Sequence, residues 1–368
     1  MVGTLIVATL LGASQLPPQE PLFHKLFPQP SGANALEYYV AAGDMAAQAN
    51  DARPTKADAD RQGTSVIELD RRVLANVDTA NLLSLIKRGN SLPLTVPAGQ
   101  DRYVIARRVK CAPLVLARWA NVLFADGNSA KATDILLTLG EMAQVFYKSS
   151  TGLAIWPATI AQACDDHAFD SNLGALSLKD CDAILRRTPI PDTSFVEAAW
   201  AAGVEETRKE FDGSPDKMNA GYGTAFTPKD FDTFGKEWKR IAEDGTASLH
   251  ALMRRPEAEW LPKMDSLSWD SLGGDSSLDD IMIGPNIYVE IAIRYRTRAR
   301  LLRLAAYITK RKLEYAQPRS ILDIPKEYAF DPATNDYFVY RRITPAFFVI
   351  HSKQTAWSQP IYLSFFQA

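Results

Sequence analysis

Residues 116–143 read LARWANVLFADGNSAKATDILLTLGEMA. Before Asp126-Gly127-Asn128, apolar residues recur at Leu116, Trp119, Ala120 and Leu123, the spacing of one helix face. Beyond it the same spacing returns at Ala132, Ile135, Leu136, Leu139 and Ala143, and extends to Phe146. Gly127 has no Cβ and is free to take the left-handed backbone that ends a helix sharply. The stretch therefore predicts two antiparallel helices, over 103–124 and 130–147, with Val109 on the apolar stripe of the first. Small residues at Ala120 and Ala132 let the two approach closely.

Outward from this hairpin the pattern stays helical. Leu36, Tyr39, Val40 and Gly43 share a helix face within 33–47, after a Pro-rich segment over 15–33 expected to be irregular or extended. Ser65 and Glu68 form a capping box for a helix over 66–75, and Asp78 or Thr79 caps one carrying Leu82, Leu83, Leu85 and Ile86. Pro93, Pro97 and Gly99 interrupt the pattern. Further along, Ser177 with Asp180 caps a helix over 178–187, and Ser194 with Glu197 opens another through Trp200 to Phe211. Thr227 suits an N-cap, Pro228 the first helical position and Asp230 the box partner, with Phe226 and Phe231 as staple. That helix is expected to end at Asp244, before Gly245. The longest helix spans 287–315, burying Ile291, Tyr295, Leu302, Ala305 and Ile308. A turn over 331–336 and strands over 337–341, 347–351 and 361–366 follow.

The fold class is mainly α: a helical-hairpin array or irregular bundle with a small antiparallel β element at the C-terminus. Its parts are a possible signal peptide (1–14), a helical hairpin domain (15–265), a Ser/Gly/Asp-rich loop (266–286), and the long helix with its β hairpin (287–368).

The 368 residues include 46% apolar and 23% charged, enough for a sizeable core and too apolar for wholesale disorder. With 41 Lys+Arg against 43 Asp+Glu, the net charge of -2 argues against a general nucleic-acid binder. No apolar run approaches the roughly 20 residues of a membrane-spanning helix. The opening MVGTLIVATLLGAS resembles the apolar core and cleavage region of a secretory signal, which predicts export to the periplasm or cell envelope. Its lack of Lys or Arg leaves an ordinary apolar segment, and a cytoplasmic protein, as the alternative. Of three cysteines, Cys164 and Cys181 form the expected disulfide if the chain is exported; otherwise all three, Cys111 included, are buried thiols.

The 116–143 segment resembles a tetratricopeptide-type helical hairpin, present once, with a simple bundle hairpin as the alternative. The tail carries a second resemblance. RLLRLAAYITKRKLEYAQPRSILDI, then FDPATNDYFVYRR and FFVIHS, gives a long helix, a Pro-containing loop, an Asp-Pro turn, a Tyr-rich strand and a second strand. This order resembles the C-terminal part of type II secretion major pseudopilins. It looks still more like a set of exported or membrane-anchored bacterial proteins that join a tetratricopeptide-like middle to such a tail. The likeness covers residues 294–352 and the middle hairpin. The prepilin cleavage site and its long apolar helix are missing, and Asn335 replaces the expected glycine after the turn. In the secretion pseudopilins this region binds calcium. Only Asp331 and Asp336 match that role here, well short of the about 6–8 oxygen ligands calcium takes. Asp331 also suits a turn residue bonding its own backbone.

Other candidate chemistry is sparse. Cys164-Asp165-Asp166-His167 would supply a Cys–His pair without a third orienting group. His24, His250 and His351 are isolated, and GxSxG, HExxH, GxxxxGKS/T and GxGxxG do not occur. Gly221-Tyr222-Gly223 reads as a turn, and the pairs Glu205-Glu206 and Asp279-Asp280 as solvated acids. Arg296, Arg300, Arg303 and Lys310 share one face of the long helix by their spacing. That stripe is either a surface for an acidic partner or a face paired with acids of neighbouring helices. No catalytic residue and no cofactor is expected. The function expected is a non-catalytic binding or scaffolding protein of the cell envelope with a protein or peptide partner. The alternatives are an exported hydrolase built from dispersed acidic and His residues, and an accessory of a secretion apparatus.

Overall fold

The computed structural model describes residues 21–97, 102–149, 169, 172–191, 193–211, 215–216, 227–268, 284–344, 348–356 and 359–365. The chain is mainly helical, with two small antiparallel sheets near the C-terminus. No helix among the described residues is long and apolar enough to cross a membrane. The helices are α1 (Leu22–Leu26), α2 (Ala35–Asp51), α3 (Lys56–Gln62), α4 (Val66–Leu74), α5 (Thr79–Asn90), α6 (Arg102–Val109), α7 (Cys111–Ala125) and α8 (Ser129–Lys148). They continue as α9 (Leu178–Arg187), α10 (Ser194–Phe211), α11 (Pro228–Met253), α12 (Trp260–Lys263), α13 (Pro285–Glu314) and α14 (Lys326–Ala329).

The predicted hairpin is α7 and α8, and its turn explains itself atom by atom. The Asn128 N–H donates to Leu123 O (2.8 Å) and the Gly127 N–H to Phe124 O (3.0 Å), a paired closure that satisfies the last carbonyls of α7. Gly127 takes φ +76°, and the Asn128 side chain then accepts from the Lys131 N–H as N-cap of α8. Val109, Leu116, Ala120, Ala132, Ile135, Leu136, Leu139, Ala143 and Phe146 are fully buried. Lys131 lies over the Trp119 ring across the hairpin.

Four expectations need correction. The first helix of the hairpin is broken between α6 and α7. Pro113 has no N–H for the Val109 carbonyl, and its ring would clash with that group four residues back. α11 runs through Gly245 to Met253, because Leu249 and Leu252 bury beyond the glycine and outweigh its cost of about 1 kcal/mol. The segment 15–33, expected to be irregular or extended, contains α1; α3 after α2 is capped by a Thr55–Asp58 box. The loop over 266–286 is shorter than expected at both ends, since Met264–Leu267 is a 3-10 turn and Pro285 begins α13. Elsewhere Ser177 and Asp180 do form the capping box of α9, and Glu197 of α10 meets His250 of α11.

Packing proceeds as an array. α2 lies on α5, α6 and α7; α7 pairs with α8; α8 meets α9; α9 packs on α13; and α13 carries the sheet. One hydrophobic cluster runs from Leu22 to Ile350, so the division at 266–286 does not separate two cores. Contacts of Tyr295 with Gln144 (2.8 Å) and of Lys310 with Asp182 (2.7 Å) also cross it. Strands β1 (Phe330–Asp331) and β2 (Asp336–Tyr337) form one small sheet. β3 (Val339–Arg342), β4 (Phe348–Ala356) and β5 (Gln359–Phe365) form the other, in that order. Asn335 closes the β1–β2 turn at φ 53°, the left-handed role expected of it.

Two glycines separate backbone strain from crowding. A Cβ at Gly127 meets nothing within 4 Å, so Gly127→Ala is expected to cost about 1–2 kcal/mol from left-handed strain alone. A Cβ at Gly43 would sit 2.4 Å from Arg108 O, where α2 meets α6. Gly43→Ala is expected to lose about 1–3 kcal/mol by overpacking despite alanine's better helix propensity. Urea unfolding of each variant reads both values, and a stabilised Gly43→Ala would contradict the close approach.

Candidate functional site

Among the described residues, a buried cluster of charge lies where α13 meets the turn after α11. Residues Glu257–Glu259 form a 3-10 turn that begins after Pro256 and places the Glu257 carboxylate against α13. Arg296 and Arg300, one helical turn apart, both reach it. Arg300 donates to Oε1 through Nη1 (2.6 Å) and to Oε2 through Nη2 (2.8 Å), a two-pronged pairing. Arg296 Nε donates to Oε2 at 3.1 Å, and its Nη1 donates to the Pro191 carbonyl before α10. The side chains of Glu257 and Arg300 are each only 8% exposed. Burial opposes ionisation of Glu257, yet hydrogen bonds and charge from Arg300 and Arg296 outweigh it and hold the carboxyl below its ordinary value.

A second carboxylate faces this cluster from the tail. Asp331, on β1, is fully buried, as is Ser352 on β4. Asp331 Oδ2 accepts from the Ser352 hydroxyl at 2.5 Å, and Oδ1 accepts from the Ala333 N–H at 3.1 Å. Burial pushes the Asp331 carboxyl up; those two hydrogen bonds and the Arg300 charge oppose the shift, while Glu257 adds to it. The turn role expected for Asp331 is therefore what its geometry performs. Asp336 is exposed and bonds Lys353 Nζ at 2.6 Å. The two do not converge, and no group of three or more His, Cys, Asp or Glu among the described residues is placed to hold a metal ion.

The remaining members of the basic stripe are also engaged within the chain. Arg303 lies 5.7 Å from the Tyr328 ring, which stacks on Tyr307. Lys310 Nζ bonds Asp182 on α9 at 2.7 Å. Of the two readings of the stripe, the geometry favours pairing with acids of the same molecule, and Arg296 and Arg300 are not offered to a partner. Sequence reasoning missed Glu257 and Asp182, because a lone acid on a distant turn or helix carries no periodic signal toward its partner.

Other candidates disperse. His250 Nδ1 lies 2.8 Å from Glu197 Oε1, and His351 Nδ1 lies 2.8 Å from Ser352 O. His24 packs edge-on against Phe23. Cys111 and Cys181 are buried free thiols, pushed up by burial to about 11 and about 12, so neither is a ready nucleophile. Glu205 is exposed. Residues 1–14, Cys164 to His167, Gly221 to Gly223, Phe226, Asp279 and Asp280 lie outside the described residues, as does the side chain of Glu206. Among the described residues the arrangement can carry buried charge and titrate, and these side chains do not join a nucleophile to a base and an orienting group. The chain matches no family model, no curated protein and no solved structure.

The two carboxyls shape stability with opposite signs. Glu257 is held low, so its contribution is present above the ordinary carboxylate value and is lost as pH falls through the lowered one. Asp331 is held high, so stability declines as pH rises from the ordinary value through the raised one. Glu257→Gln is expected to cost about 3–5 kcal/mol near neutral pH, because it strands two guanidiniums. Asp331→Asn is expected to be mild there and to remove the decline with rising pH. Denaturant unfolding between about pH 3 and pH 8 separates them, and equal losses at every pH would contradict the assignment.

Proposed function

We propose that this chain is a non-catalytic binding or scaffolding protein of the cell envelope, whose partner is a protein or peptide. The observation that carries the reading is the fate of the ionisable groups. Among the described residues, the buried clusters are spent on joining one helix to the next. Glu257 pairs with both Arg296 and Arg300, Asp70 pairs with Arg118 (2.6 Å), and Asp44 with Arg108 (3.2 Å). Helices held this way form a rigid array, and arrays of paired helices present extended surfaces to partners.

Two features of the sequence support the envelope. The apolar opening over 1–14 resembles a secretory signal, and the long helix followed by the Asp-Pro turn and strands resembles a pseudopilin tail. The resemblance of the 116–143 sequence to a tetratricopeptide-type hairpin supports a peptide or protein as ligand.

Crosslinking of the tagged full chain in its native cells, followed by affinity capture and mass spectrometry, tests the reading. One envelope protein recovered near stoichiometry is the expected result. Recovery of the chain alone from the cytosolic fraction would overturn it. Turnover in a broad hydrolase screen would overturn it in favour of an enzyme.

A further inference from the structure

Among the described residues, eight large apolar side chains are exposed, and the four most exposed fall in two short segments, 313–322 and 343, at and after the ends of the long helix and β3. Tyr315 (77%), Leu322 (73%), Leu313 (48%) and Ile343 (46%) come from the end of α13, the loop after it and the residue that follows β3. The other four, Ile67, Val104, Leu178 and Ile190, are less exposed and are scattered along the chain. The Tyr340 hydroxyl donates to Pro318 O at 2.7 Å, which fastens β3 to the loop that carries Tyr315 and Leu322. The Asp323 carboxylate accepts from the Arg319 and Ser320 N–H groups (3.0 and 2.9 Å), so that loop is shaped by its own hydrogen bonds.

The charge around this tip is positive although the whole chain carries -2. Arg311 lies 4.8 Å from the Tyr315 ring, Arg319 is exposed between Tyr315 and Leu322, and Arg341 and Arg342 are exposed beside Ile343. Of the nearby acids, Asp323 is occupied by the loop backbone and Glu314 lies 3.8 Å from Lys310.

We propose that this tip is a docking surface for an anionic lipid bilayer. A tyrosine and leucines standing clear of the fold enter the boundary between headgroups and acyl chains without a shaped counterpart, and arginines around them meet the anionic headgroups. A protein partner would need a complementary patch of about 800 Å² on each side. The complementary charge favours the bilayer. The inference is independent of the scaffold reading, since it concerns where the molecule sits and not what it holds.

Co-sedimentation of the purified full chain with phosphatidylcholine vesicles, with and without roughly a third phosphatidylglycerol, tests it. Binding to the anionic vesicles only, weakened by salt, is expected. Tyr315→Ser with Leu322→Ser, and separately Arg319→Glu with Arg341→Glu, are each expected to weaken it about tenfold or more. Arg319→Lys with Arg341→Lys is expected to retain it, and Val104→Ser, outside the tip, to change nothing. Far-ultraviolet circular dichroism checks that each variant is folded. Absence of binding would overturn the proposal. So would binding that persists in both tip variants, which would move lipid contact elsewhere, for instance to the apolar opening of the chain. Concentration-dependent self-association abolished by the Tyr315 and Leu322 substitutions, without vesicle binding, would give the face to a second copy instead.

Discussion

A guanidinium taken out of water must find its counter-charge inside the fold, and among the described residues Arg108, Arg118 and Arg300 place that demand on this chain. Arg108 on α6 faces Asp44 on α2, whose other oxygen accepts from the Phe23 N–H of α1 (2.8 Å). Arg118 on α7 bonds Asp70 on α4 and the Ala49 carbonyl on α2 (3.0 Å). Arg300 on α13 takes both oxygens of Glu257, with Arg296 extending the contact to Pro191. Each pairing joins segments distant in sequence. A buried ion pair contributes little net stability relative to apolar residues of the same size, yet removing one partner costs several kcal/mol. These pairs therefore act chiefly by specifying which segments meet, while the apolar cluster supplies the driving force.

A polar bridge at the N-terminal end of the array works in the same way. Tyr39 is fully buried and stacks on Phe146, and its hydroxyl donates to Asn90 Oδ1 (2.8 Å). Asn90 in turn donates to Thr138 O (2.9 Å), which ties α2, α5 and α8 together. Gly89 is glycine because a Cβ there would lie 2.4 Å from the Tyr39 ring. Crowding and hydrogen bonding thus set the same three helices at one spacing.

What the sequence made legible is local. The α7–α8 hairpin, the Ser177 cap, the Asp78 cap and the Asn335 turn each depend on residues within a few positions of one another. The break at Lys110 was equally local, but Pro113 competes with a strong apolar period, and the period is easier to read than the missing N–H. The passage of α11 through Gly245 was not local, because Leu249 and Leu252 are buried by elements far away in the chain. The same holds for the charges. Four basic residues on one face of α13 are visible from spacing alone, whereas Glu257 and Asp182 are partners only once the chain has folded. The exposure of Tyr315 and Leu322 has no sequence signal, since an apolar residue in a loop is as often buried as not.

These pairings and the continuous core are expected to make the helical array and the tail one cooperative unit, which a chain of 368 residues need not be. Native-state hydrogen exchange with rising denaturant, followed by mass spectrometry, tests this most directly. The most protected amides of α7, α8, α13 and β4 are expected to open together, with one free energy and one dependence on denaturant. Opening of β3 and β4 at lower denaturant, while α7 and α8 stay protected, would contradict it and make the tail a unit of its own.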